Sequence, residues 1–151
     1  MNDNFQNTLQ PFWQKLQDHQ VLTLSTSSDS RVSSRNVSVI IRNGRFYFQT
    51  DKNYLKYKQL TENPNVAFCF QNYSVEGKCK CIGNPTDEQN NFFLELFKEH
   101  FQTAFELYSE LETERLIEFI PTLIYCWGYD NSKPFMEYWD FANQEYHKEY
   151  Q

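Results

Sequence analysis

Apolar positions recur at helical spacing near the start of the chain and again past its middle, and alternate through most of the rest. Phe5, Leu9, Phe12, Trp13 and Leu16 form one stripe, predicting an N-terminal helix that Pro11 either opens or bends. Strands follow. "VLTLST" (21–26) alternates, "SSDS" reads as a turn, "VSSRNVSVIIR" as a long strand, and "RFYFQT" returns antiparallel after the hairpin signal Asn43-Gly44. A helix is predicted from about Asn53 to Glu62, closed by Asn63-Pro64, with strands "NVAFCFQN" and "KCKCIG" after it. Thr86 and Gln89 suggest a capping box for a helix that buries Phe92, Phe93, Leu96, Phe97 and Phe101, and a second short helix is expected over Ala104 to Leu111. "RLIEFIPTLIYCWGY" then reads as a last long strand with Ile117, Phe119, Leu123, Tyr125 and Trp127 on one face, Pro121 implying an edge or a bulge. Six strands, a few helices and no linker predict a single domain over 1–151, mainly β with helices (α+β), built as a small antiparallel barrel.

Composition adds bounds to that picture. A chain of 151 residues is long enough to bury a continuous core, and 14 Phe, 10 Tyr and 3 Trp against scarce Gly and Pro exclude disorder. No signal-like start and no apolar run of about 18 residues is present, so a soluble, cytoplasmic protein is expected. Cys69, Cys79, Cys81 and Cys126 lack paired C-x-x-C spacing and are expected to be reduced core thiols.

Charge changes the picture more. The net charge is −6, yet residues 31–58 carry Arg31, Arg35, Arg42, Arg45, Lys52, Lys56 and Lys58 against Asp51 alone. A basic island in an acidic chain argues against nucleic acid, whose backbone the remainder would repel, and for a small anionic ligand. The acidic helices beyond residue 87 read as a solvated face. Arg35 is in phase with Val37, Val39 and Ile41, so an arginine shares a face with three β-branched residues. It either snorkels from a strand end or meets an anion. The hairpin brings Thr50 to the same end, and the following helix starts with free N–H groups and Lys56 one turn in, which together would cradle a phosphate. Lys52 and Lys58 read as solvated surface lysines or spares to that cradle. His19, His100 and His147 show no acid/base spacing and read as surface or interface residues.

The stretch "VLTLSTSSDSRVSSRNVSVIIRNGRFYFQTDKNYLKYKQLTENPNVAF" resembles the pyridoxamine 5′-phosphate oxidase-like family of flavin-binding split barrels, in particular its short bacterial general-stress and nitroimidazole-resistance-like members. The ordered set carries the likeness: a strand ending in Ser/Thr, an Arg-x-Val strand, a hairpin, an aromatic strand ending in Thr, a Lys six residues on, and "QLTENPNV". The resemblance implies a six-stranded split barrel that dimerises with flavin mononucleotide (FMN) between subunits. It implies that Arg35, Lys56 and Thr50 hold the FMN phosphate, that Asn36, Val37 and Ser38 present backbone to the ring, and that Gln49 lines the site.

Departures from the family pattern are informative as well. Tyr54-Leu55-Lys56 stands where the true oxidases usually carry Ser-Arg-Lys, removing two polar phosphate ligands. Lys78 occupies a position that often holds Gln near the ring, where it would stabilise a reduced flavin or simply face solvent. The C-terminal "KPFMEYWDFANQEYHKEYQ" lacks the family's Arg-rich substrate segment, so formation of pyridoxal phosphate is not expected. Two functions remain open: an FMN-dependent oxidoreductase passing electrons from NAD(P)H or another donor to a small organic acceptor, and a non-catalytic flavin-binding sensor or carrier. A homodimer is expected, because Ile120 and Ile124, on the opposite face of the last strand from Ile117, need cover. No membrane or nucleic-acid partner is expected.

Overall fold

A computed structural model describes residues 3–151. Its elements are helix α1 (Asp3–Leu16), strands β1 (His19–Ser28), β2 (Arg31–Arg42) and β3 (Arg45–Asp51), helix α2 (Leu55–Glu62), strands β4 (Asn65–Phe70) and β5 (Tyr73–Cys81), helix α3 (Asn91–His100), and strands β6 (Glu114–Asp130), β7 (Lys133–Asp140) and β8 (Glu145–Tyr150). All strand pairings are antiparallel, in the order β3-β2-β1-β4-β5-β6-β7-β8, and β3 also pairs β6. That extra pairing closes six strands into the expected barrel. The barrel is split: β2 pairs β3 only over Ile40 to Arg42, after which β3 continues along β6 from Phe46 to Asp51. From Arg31 to Val39, β2 keeps β1 on one side and, among the described residues, has no strand on the other.

Tight turns set the hairpin registers. Asp29-Ser30, Asn43-Gly44 and Asn131-Ser132 each hold two successive residues at positive φ, the backbone that matches the twist of paired strands. The barrel is filled by aromatic rings: Phe46, Phe68 and Phe119 meet one another at centroid distances of 4.8 to 5.3 Å. Helix α1 lays Phe5, Leu9, Phe12 and Leu16 against this core, as its stripe requires, and Pro11 lies inside the helix. Helix α3 buries Phe93 and Phe97 over Ile40, Tyr47 and Leu116 on the outer wall, while Phe92, Leu96 and Phe101 are only partly covered.

Several expectations are corrected. The tail "KPFMEYWDFANQEYHKEYQ" forms β7 and β8, so the sheet has eight strands, two outside the barrel. Pro121 marks a bulge: it pairs Gly77, and the register slips between Glu76 and Gly77. The slip reverses the phase of β6. Ile117 and Phe119 are buried before it and Ile124 and Cys126 after it, whereas Trp127 is 54% exposed. Ile124 therefore belongs to the core and needs no cover from outside; Ile120 alone of that pair faces solvent. The Thr86–Gln89 capping box does not form. Asp87 Oδ2 instead accepts the Asn84 N–H, and buried Asn90 donates to the Ile82 and Asn84 carbonyls, which leads through a short 3₁₀ turn into α3. Helix α2 begins at Leu55, after Asp51 Oδ1 accepts the Asn53 N–H in an Asx turn. The second short helix is a turn at Gln102–Ala104 that widens into π-helix over Phe105–Ser109. His19 opens β1 and His147 lies in β8. Cys79 and Cys126 are core thiols, but Cys69 and Cys81 are exposed. Among the described residues no helix is long and apolar enough to cross a membrane.

The bulge admits a direct test. A Cβ at Gly77 would stand 2.3 Å from the Ile120 carbonyl oxygen and 2.7 Å from the Phe119 ring, a collision with backbone that cannot be relieved by a rotamer change. Gly77→Ala should lower stability by about 1–3 kcal/mol in urea unfolding, and an unchanged midpoint would show that the bulge does not depend on the missing side chain.

Candidate functional site

The parting of β2 from β3 opens a cleft at the seam, and charge distinguishes it from another, of ≈ 420 Å³, that lies over β1, β4 and β5. The larger, lined by Ser25, Ser27, Val32, Asn65, Gly77 and neighbours, has Glu76 as its only charged lining residue. The other, of ≈ 290 Å³, is lined by Asn36, Val37 and Ser38 of β2, Gln49, Thr50 and Asp51 of β3, Tyr54 and Lys56 at the start of α2, and Phe97, Ala104, Tyr108, Leu111 and Glu114 opposite. Seven residues anticipated from sequence thus surround one cavity.

Arg35 stands just behind that wall. It pairs Leu24 across β1, and its Nη1 donates to the Thr26 hydroxyl at 2.8 Å and, at 3.3 Å, to the Leu24 carbonyl. Thr26 in turn donates to Gln59 Oε1 at 2.5 Å, and Gln59 Nε2 donates to the Arg31 carbonyl at 3.1 Å. This chain runs from α2 through β1 to two points on β2, Arg31 and Arg35, and tethers the guanidinium. Thr26 and Gln59 are both buried, so neither can turn to water instead. Burial holds the Arg35 pKa below its ordinary value, though an arginine keeps its charge.

Lys56 reaches the same place from α2. Burial lowers its pKa most, and the Arg35 charge lowers it further, against opposing pulls from Glu114 and Asp51. Its Nζ sits 5.1 Å from the centre of the Tyr54 ring. Tyr54 occupies the N-cap of α2 with no side-chain hydrogen bond to the helix, leaving the first-turn N–H groups without a side-chain cap. Two partly desolvated cations beside a helix N-terminus form a site complementary to an anion. Thr50 is buried between them and β6, opposite Arg115.

The acids give the cleft its other character. Asp51 is held below the usual carboxylate range by the Asn53 N–H and then by the Thr113 hydroxyl, which donates to Oδ2 at 2.8 Å. Glu114 is buried, and its pKa is pushed up to about 7 by that burial and by the Asp51 charge, with Lys56 pulling the other way. Gln49 is fixed by Ser109, whose hydroxyl donates to its Oε1 at 2.7 Å, tying the π-helical turn to the cleft floor.

Two expectations stand apart from the cavity. Lys78 is exposed on β5 between Asn65 and Ile120 and does not line it. Lys52 and Lys58 are exposed too, Lys52 lying 4.0 Å from Glu112. The sequence did carry a signal for Gln59: it lies one turn beyond Lys56 in "LKYKQLTE", on the side of α2 that holds Leu60.

The fit to an FMN phosphate rests on the adjoining charges of Arg35 and Lys56 and on their desolvation; the unpaired side of β2 at Asn36 to Ser38 offers backbone groups to a flat ring.

Known proteins bear on this arrangement. No curated protein matches the chain. Among solved structures, an FMN-binding protein related to pyridoxamine 5′-phosphate oxidase from Nostoc punctiforme is similar at TM-score 0.62 and 13% identity, over 97% of this chain and 96% of its own. General Stress Protein 26 from Bacillus anthracis gives 0.60 and 18%, over 81% and 92%. A NimC/NimA family protein from Clostridium acetobutylicum gives 0.55 and 14%, over 100% and 99%. At these identities the likeness establishes the fold. The family model described as pyridoxamine 5′-phosphate oxidase matches residues 9–128, and the chain belongs to that family.

Proposed function

We propose that the chain binds FMN in the Arg35–Lys56 cleft and acts as an oxidoreductase, passing electrons from NAD(P)H or another donor to a small organic acceptor. The observation that carries this reading is the convergence of two desolvated cations on a helix N-terminus beside an open strand edge. When bound, FMN supplies the redox chemistry. The chain's own residues bind and orient: Arg35 and Lys56 meet the phosphate, the peptide groups of Asn36 to Ser38 face the ring, and Phe97, Tyr108 and Leu111 shield one side from water. Glu114, its pKa pushed up to about 7 by burial and the Asp51 charge, exchanges its proton near neutral pH.

A second subunit completes the site in this reading. The cleft is at the small end of ligand pockets, about 300 Å³ and above, so an isoalloxazine ring would emerge from it. Tyr54, Leu107, Tyr108 and Leu111 stand exposed nearby. Lys78 belongs to the site only if a second subunit brings it there.

The purified chain should be yellow or take up FMN with loss of flavin fluorescence. Arg35→Ala and Lys56→Ala should each weaken FMN by about 1.5–3 kcal/mol, 10- to 150-fold, and riboflavin far less. Equal losses for both ligands would move the phosphate elsewhere. Consumption of NAD(P)H with quinones or nitroaromatics should depend on bound FMN; a flavin that stays oxidised throughout identifies a carrier.

A pH dependence follows from Glu114. Its raised pKa means that the folded chain holds this proton more tightly than the unfolded chain, so the group's stabilising contribution is complete below the ordinary carboxylate range and is lost as pH rises through about 7. Ionisation also sets a negative charge beside the cradle. Glu114→Gln should bind FMN more tightly than the unaltered chain above pH 7, the two converging in mildly acid buffer; parallel affinity profiles would show that Glu114 does not face the phosphate.

Light scattering of the FMN-loaded protein should give twice the 18.2 kDa chain mass, with flavin released on dilution to monomer. A monomer that keeps its FMN would refute the shared site.

A further inference from the structure

Away from the cleft, Asp18, His19 and His100 gather their donor atoms within 4.8 Å of one another. Asp18 lies in the turn after α1, His19 opens β1 and His100 ends α3, so no spacing in the sequence announces the group. Asp18 Oδ1 is 2.8 Å from His19 Nδ1 and 3.6 Å from His100 Nε2. The two imidazoles stack at 3.6 Å between centroids and 6° between planes, with the Phe101 ring edge-on to His19 at 6.0 Å. The Asp18 backbone is anchored, since its carbonyl accepts the Ile41 N–H at 2.9 Å.

We propose that these three residues form a binding site for a divalent transition metal, with zinc as the natural probe, that fastens α3 to the barrel wall. Two imidazoles and a carboxylate are the donors that zinc and its neighbours take in preference to magnesium or calcium. Donors around a tetrahedral zinc at ~2.0–2.2 Å stand about 3.3–3.6 Å apart, and the two separations from Asp18 Oδ1 bracket that range. The side chains of Asp18 and His19 are 52% and 32% exposed, which leaves an entry path and an open position for water. Glu99 offers a further oxygen donor, its Oε2 3.7 Å from His100 Nε2. The rings need only tilt apart from their stack to share one ion. The site asks nothing of the flavin reading, because none of its three ligands lines the Arg35–Lys56 cleft.

Competition of zinc against a chromogenic chelator, using the full chain with and without FMN, should give one zinc per chain and a zinc-dependent rise in melting temperature. His19→Ala and His100→Ala should each weaken zinc about 100-fold or more and abolish that rise. Cobalt(II) in the unaltered chain should show visible d–d bands without a thiolate charge-transfer band, a readout that stands even if a variant fails to fold. Absence of binding in excess zinc, unchanged affinity in the folded variants, or a thiolate band placing the ion on exposed Cys69 or Cys81 would each overturn the assignment.

Discussion

Strand β3 offers an edge to each of two partners but keeps them unequally. It pairs β2 over three residues only and β6 from Phe46 to Asp51, and the features of the candidate site descend from that inequality. Closing against β6 completes the barrel and buries Phe46 and Phe48. Leaving β2 strands the segment from Arg31 to Val39 with an unpaired side, opens the cleft, and makes room for α2 to deliver Lys56 beside Arg35. The buried chain Arg35–Thr26–Gln59–Arg31 then bridges the gap with side chains where backbone pairing has stopped. An open seam is costly unless its polar groups find partners, and these four residues meet that demand on the β1 side.

Much of this was legible in the sequence where local rules govern. Alternation in "RNVSVIIR" and the Asn43-Gly44 turn located the hairpin, and phase alone put Arg35 on the face of Val37, Val39 and Ile41. The misreadings arise where a distant partner overrides the local pattern. The β6 alternation inverts because Gly77, on another strand, admits the Ile120 carbonyl. The strands β7 and β8 went unassigned because Lys133, Glu137, Lys148 and Glu149 interrupt the aromatic positions. The burial of Glu114 is not legible in the sequence, since it depends on β3 and α2, neither adjacent in sequence. The stacked histidines were likewise invisible, being joined only when α3 folds back over the start of β1.

The cleft combines opposed charges. Arg35 and Lys56 favour an anion, while Asp51 and Glu114 discourage it unless Glu114 holds its proton. Such a balance keeps the site itself from carrying two uncompensated, partly desolvated cations, which would weigh against folding. It also limits how tightly an anion can be held, since a ligand phosphate must compete with the chain's own carboxylates.

Among the described residues strand β8 ends the sheet, with β7 on one side and no strand beyond it. Such a border is a template on which another copy could extend the ladder without limit. Here Glu145, Lys148 and Glu149 lie along a strand of only six residues, with Lys148 held 2.8 Å from Asp130. Stacking two such borders would bring carboxylates and ammonium groups out of water without assured partners. The same charges that hid β8 from sequence reading thus act as a barrier to fibrous growth, and they leave assembly to faces of the molecule rather than to its open border.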